Sequence, residues 1–145
     1  MSVFQKDLEL PVTMLHGQLA AQERDSVLKE FRLGHKTHLI STNVLARGIN
    51  VPTISMVINY DLPRFGQGTH QGQIDTSTYI HRVGRCTRWK NRGIAINLIS
   101  NEEVADLATL KKRGRFDIEK ITEREIEQLE ERLKEFRKIA KTREI

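Results

Sequence analysis

The chain has 145 residues, 38% of them hydrophobic, with 24 Lys and Arg against 19 Asp and Glu for a formal net charge of +5. That length and apolar share suit one globular domain with a modest core and exclude two, while the basic balance favours an anionic partner such as nucleic acid or a nucleotide phosphate. One cysteine, Cys86, excludes an intrachain disulfide and a cysteine-rich zinc site; with no apolar run near the ~18 residues of a membrane span and no signal-peptide core in MSVFQKDLELP, the chain reads as soluble and intracellular.

Short β-branched runs predict strands at VTMLH (12–16), HLIST (38–42), SMVINYD (55–61) and GIAINLIS (93–100). After the first, a helix from about Ala20 to Leu33 puts Ala20, Val27, Leu28 and Phe31 on one side and stops at Gly34. After the third strand comes LPRFGQGTHQGQIDTST, which holds little that could fill a core; a connection this long reads as a functional or mobile insertion. A helix from about Ser77 to Arg85 follows, with Tyr79, Ile80 and Val83 as packing candidates. Another starts at Asn101 as N-cap, carries Glu102 and Glu103 in its first turn and Lys111, Lys112 and Arg113 in its last, and ends at Gly114. Strands alternating with helices imply βαβ units around a mostly parallel sheet, whose ligands sit beyond the carboxyl ends of the strands.

The last segment differs. In ITEREIEQLEERLKEFRKIAK, Thr122 and Glu125 form a capping-box pattern, and Ile126, Leu129, Leu133, Phe136 and Ala140 recur at helical spacing. This amphipathic helix is expected to dock on its own sheet, with a coiled coil or partner helix as the alternative. Residues 1–115 and 116–145 therefore read as one domain and its helical extension.

Two stretches carry chemistry. STNVLARGINVP (41–52) follows a strand and offers hydroxyls, an amide and exposed backbone N–H groups that can hold a phosphate oxygen; a capped strand-to-helix turn with a surface arginine has the same pattern. HRVGRCTRWKNRG (81–93) spaces Arg82, Arg85 and Arg88 three apart, and from Thr76 to Asn101 there is no acidic residue to pair with them. Guanidinium forks suit phosphate oxygens and stay charged at physiological pH, and the competing reading is a solvated basic helix face.

LHGQLAAQERDSVLKEFR, ISTNVLARGINVPTISMVINYDLP and TYIHRVGRCTRWKNRGIAINLIS together resemble the C-terminal RecA-like domain of DEAD-box RNA helicases, over about residues 12–113. The wording TNVLARGI and the lengthened loop before TYIHR resemble the subfamily acting in mRNA export at the nuclear pore; translation-initiation helicases are close in sequence. The resemblance implies an α/β, three-layer, P-loop NTPase-type fold with a mostly parallel sheet, from which the family's first strand and helix are missing. It implies half of an ATP-dependent motor that binds ATP with Mg²⁺ and single-stranded RNA across a cleft with an N-terminal RecA-like domain. Arg85 and Arg88 would reach the γ-phosphate, Arg88 as arginine finger. Gly48 and Asn50 would face ATP, His81 and Arg82 would couple nucleotide to RNA, and Arg24, Thr42 and Asn43 would hold the RNA backbone. A helicase activator of the export type is an implied partner. No membrane is implied, and the implied location is cytoplasmic, at the nuclear pore, or nuclear.

The departures from the family pattern are specific. Asn50 stands where the family has an acidic residue at the ATP ribose, so the contact loses charge assistance. Cys86-Thr87 replaces the Thr-Gly that gives freedom before the finger. Ala21 replaces a common glutamine. There is no GxxxxGK[ST] and no acidic DEAD stretch, so this polypeptide by itself is expected not to hydrolyse ATP. The competing class is a non-enzymatic module that binds RNA or a regulator without turnover.

Overall fold

A computed structural model describes residues 10–43, 54–86, 93–122, 124–126, 128, 131 and 134. The described elements run β1 (Val12–Leu15), α1 (Ala21–Arg32), β2 (His38–Ser41), β3 (Met56–Asn59), α2 (Thr76–Val83), β4 (Ile94–Asn97) and α3 (Val104–Gly114). All four expected strands are present, each four residues long. They pair in parallel, β1 with β2 and β3 with β4, as two two-stranded sheets.

The β1–β2 sheet packs against α1 on one face. Leu15 and Leu28 are buried together, with Leu19, Val27, Phe31, Leu39 and Ile54 against them. Ala20, expected on this face, is exposed and serves as the N-cap of α1, where the Glu23 carboxylate accepts its backbone N–H at 2.9 Å. The second cluster gathers Leu62, Ile74, Tyr79 and Leu110, with Val83, Ile99, Leu107, Phe116 and Ile118 around it. Ile80, expected to pack, is 48% exposed. On the uncovered faces Met14 lies opposite Ile40, and Ile58 opposite Ile96. Met14, Ile40 and Ile58 are 45%, 44% and 59% exposed, whereas parallel sheets ordinarily bury both faces.

Two local readings are corrected by the structure, and the expected end of α3 is met. The turn before α3 is a 3₁₀ segment at Asn101–Glu103 capped by Ser100, not Asn101. The Glu103 carboxylate accepts from the Ser100 N–H and hydroxyl, both at 3.1 Å, and the backbone bond is the chief reason its pKa falls below the usual carboxylate range. Gly114 is the last helical residue, as expected, with the left-handed conformation on Arg115 (φ 54°). Gly114 is required by proximity: a Cβ there would sit 2.0 Å from the Phe116 ring, which packs tilted against Tyr79 at a centroid distance of 5.1 Å. Finally, the long connection is a closed antiparallel turn, with the Phe65 N–H donating to Gln73 O (2.9 Å) and the Gly72 N–H to Phe65 O (2.8 Å). It supplies Leu62, Pro63 and Ile74 to the core, and an Arg64–Asp106 ion pair ties it to α3.

At the C-terminal helix the Glu125 half of the Thr122–Glu125 box forms, its carboxylate accepting from the Thr122 N–H at 2.8 Å and hydroxyl at 2.7 Å. Ile126 is 56% exposed, so this first turn does not dock as expected. Leu129, Leu133, Phe136 and Ala140 lie outside the described residues. Among the described residues no helix is long and apolar enough to cross a membrane.

Candidate nucleotide and nucleic-acid interface

The carboxyl ends of β2 and β3 meet at one side chain. Asp75 starts α2 by accepting the Thr78 N–H at 3.0 Å and the Thr78 hydroxyl at 2.6 Å, which aligns the helix so that Arg82 in its last turn reaches back over the strand ends. Arg82 donates from Nε (3.0 Å) and Nη2 (2.7 Å) to Asn43 Oδ1, just after β2. Its Nη1 donates to Asp61 O (2.8 Å), Asp61 Oδ1 (3.2 Å) and Asn59 Oδ1 (3.4 Å), at the end of β3. The Arg82 side chain is 17% exposed and Asp61 70%, so one end of this ion pair stays in water.

Asn43 and Arg82, assigned to different tasks by the sequence, are therefore in direct contact. Thr42 is exposed; its N–H donates to Leu15 O at 3.3 Å, and its carbonyl accepts from the Ser41 hydroxyl at 2.8 Å. Arg24 lies on α1, where Nη2 donates to Leu19 O at 3.4 Å and Nε is buried with no partner among the described residues. Among the described residues no hydrogen bond joins it to Thr42 or Asn43. His81 is exposed, and Arg85 donates from Nε to His81 O at 3.1 Å. Gly48, Asn50 and Arg88 lie outside the described residues.

The described residues nearest Arg88 in sequence, Cys86 and Gly93, are both well packed. Cys86 is buried and donates from Sγ to Val83 O (3.2 Å) and Ile94 O (3.5 Å); burial pushes its thiol pKa up. Gly93 presses against it so closely that a Cβ would fall 1.9 Å from the Cys86 carbonyl oxygen. Cys86 and Gly93, the described residues that flank positions 87–92 in sequence, are thus in close contact.

Sequence reading missed the groups behind Arg82. Asn59 Nδ2 donates to Asn97 Oδ1 at 2.8 Å, and Asn97 Nδ2 donates to Tyr79 Oη at 3.1 Å. Burial raises the Tyr79 pKa, and the bond from Asn97 opposes that. The available signal was an asparagine in each of two otherwise apolar strands, MVIN and IAIN. Among the described residues no group of three or more His, Cys, Asp or Glu could hold a metal ion.

Residues 1–90 match the family model described as helicase conserved C-terminal domain. The ATP-dependent RNA helicase DBP5 of Saccharomyces cerevisiae is 45% identical over 108 residues, 74% of this chain and 22% of that protein, so the chain spans less than a quarter of that relative's length. The solved C-terminal domain of the DEAD-box protein Dbp5 matches at 40% identity and a TM-score of 0.73, over 87% of this chain and 69% of that one. S. cerevisiae Dbp5 bound to RNA and ADP BeF3 matches at 40% identity and a TM-score of 0.76, over 86% of this chain and 31% of that one. The same yeast protein has also been solved with Gle1 and IP6, and with Nup159, Gle1, IP6 and ADP. The parallel α/β architecture, the arginine-bearing helix over the strand ends and these matches lead to one conclusion: the chain belongs to the helicase conserved C-terminal domain family, as a RecA-like domain of the DEAD-box type.

Proposed function

We propose that this chain supplies the second RecA-like half of an ATP-dependent DEAD-box RNA helicase that remodels RNA or ribonucleoprotein in mRNA export, at the cytoplasmic side of the nuclear pore. In this reading residues 1–115 form the motor half and 116–145 its helical extension. Support comes from the position of Asn43: it stands at the carboxyl end of β2 with its carbonyl oxygen held by Arg82, so its amide N–H groups face away from the guanidinium, where a phosphate oxygen can accept them. Thr42 adds an exposed hydroxyl beside it, and Arg24 a cation from α1. Such contacts grip the RNA backbone without reading bases, so binding is expected to be salt-dependent and tolerant of sequence.

ATP and its Mg²⁺ are held mainly by an N-terminal RecA-like domain. This chain contributes Gly48 and Asn50 near the nucleotide, Arg85 and Arg88 toward the γ-phosphate, and His81 and Arg82 at the seam between the domains. Arg88 stabilises charge in phosphoryl transfer, a role worth ~10³–10⁵ in rate where it has been removed from such enzymes. An activator of the kind solved with the yeast relative is the expected protein partner. The test is reconstitution: mixing the chain with a matching N-terminal domain is expected to produce RNA-stimulated ATP hydrolysis, and Arg88→Ala to abolish it. An unchanged rate in that variant rejects the arginine-finger role.

A further inference from the structure

Arginine has only donors, and that fact sets the polarity of everything it touches. Asn43 and Asn59 both meet Arg82, so each must turn its carbonyl oxygen toward the guanidinium. Asn59 then has only its NH₂ left for β4, and it donates to Asn97 Oδ1 at 2.8 Å. Asn97 in turn has only its NH₂ left, which donates to Tyr79 Oη at 3.1 Å. The result is a network of two directed branches that both start at Arg82, one through Asn59 on β3 and Asn97 on β4 to Tyr79 on α2, the other to Asn43 at the end of β2. Asn59 is 3% exposed and Tyr79 3%, so water has little access to replace a missing link.

We propose that Asn97 is a positioning residue for phosphate binding by Asn43: through Asn59 it supports the Arg82 guanidinium, which in turn fixes which way the Asn43 carboxamide points. This rests on the RNA-backbone reading of Asn43 given above. Without an acceptor at position 97, the Asn59 carboxamide gains nothing by pointing its NH₂ at β4. Turned over, that NH₂ would meet the Arg82 donors head-on, and the guanidinium would lose one of its supports between the two sheets. Asn43 Oδ1, which accepts two bonds from Arg82, is the next group along and the one that reaches the surface.

The test compares Asn97→Leu, close in size but without polar atoms, with Asn97→Asp, which keeps the acceptor for Asn59 and lets the Tyr79 hydroxyl turn round and donate. Two readouts are made on the full chain. The first is NMR of the side-chain NH₂ pair of Asn43, identified by its loss in Asn43→Ala, and of the Arg82 Nε–H. Both are expected to shift in Asn97→Leu and to stay near their wild-type positions in Asn97→Asp. The second is binding of labelled oligouridylate by anisotropy, expected to weaken about tenfold in Asn97→Leu, the loss of one charge-assisted hydrogen bond to phosphate, and to be retained in Asn97→Asp. In an Asn43→Ala background, Asn97→Leu is expected to cause no further loss.

Equal losses in the two backgrounds, or an Asn43 NH₂ pair unmoved by Asn97→Leu, overturn the proposal. If Asn97→Leu does not fold, Tyr79→Phe removes the last acceptor with less disturbance. The same Asn43 and Arg82 resonances then decide the matter, shifted if the directed network exists and unmoved if it does not. If the wild-type chain binds no oligouridylate, the RNA reading fails, while the NMR comparison still tests the positioning by itself.

Discussion

Replacing Gly93 with alanine tests whether the Arg88 segment is aimed by the closure of its two ends. An ideal Cβ at Gly93 would lie 1.9 Å from the Cys86 carbonyl oxygen and 2.5 Å from both the carbonyl carbon and Cβ of Cys86, whereas real Cβ atoms essentially never come within 3.0 Å. The obstacle is backbone, which cannot rotate out of the way, so the strand entry and the helix exit must part by about 1 Å. Overpacking of this kind costs about 1–3 kcal/mol. For a domain of this size that corresponds to a fall in melting temperature of roughly 4 °C per kcal/mol. The functional effect should exceed the effect on stability, because a displacement of about 1 Å at a reacting centre can cost on the order of 10²-fold in rate. Gly66→Ala is the control, since a Cβ there meets nothing within 4 Å. Both variants would be melted and then assayed for RNA-stimulated ATP hydrolysis with the N-terminal domain. If Gly93→Ala melts with Gly66→Ala, the close approach is not real. If it is destabilised but retains full activity, the closure does not aim Arg88.

Two further outcomes are expected. Gly114→Ala should destabilise the chain by about 1–2 kcal/mol although alanine is the better helix former by ~0.5–1 kcal/mol, because its Cβ displaces the Phe116 ring from Tyr79; in a Phe116→Ala background the sign should reverse, and denaturant titrations of the four proteins check this. Burial raises the Cys86 thiol pKa, so the unfolded chain releases that proton first. This contribution to stability is intact below the ordinary thiol value near ~8.5 and is lost as pH rises toward the folded value. Denaturant midpoints at pH 7.5 and 9.5 should therefore separate more in the wild type than in Cys86→Ala, with Tyr79, also raised by burial, adding a decline of the same sign at higher pH in both.

The strands were legible in the sequence because β-branched runs bounded by polar residues have few alternatives, and α1 was legible because Val27, Leu28 and Phe31 share one helical face and Gly34 follows at φ 78°. The motif stretches also carried the family, since their residue order is long and specific. What the sequence alone could not reveal was partnership across distance. An asparagine in MVIN and another in IAIN look like blemishes in apolar strands until parallel pairing sets Asn59 opposite Asn97. Gly114 looks like a helix stop until Phe116 folds back onto it, and the glycine-rich connection looks like slack chain until its backbone pairs and buries Ile74. Local propensity depends on neighbours a few residues away. Which donor meets which acceptor across 38 or 39 residues of chain is decided only when the strands and α2 are brought together, and here that decision turns an arginine and four polar side chains into one network.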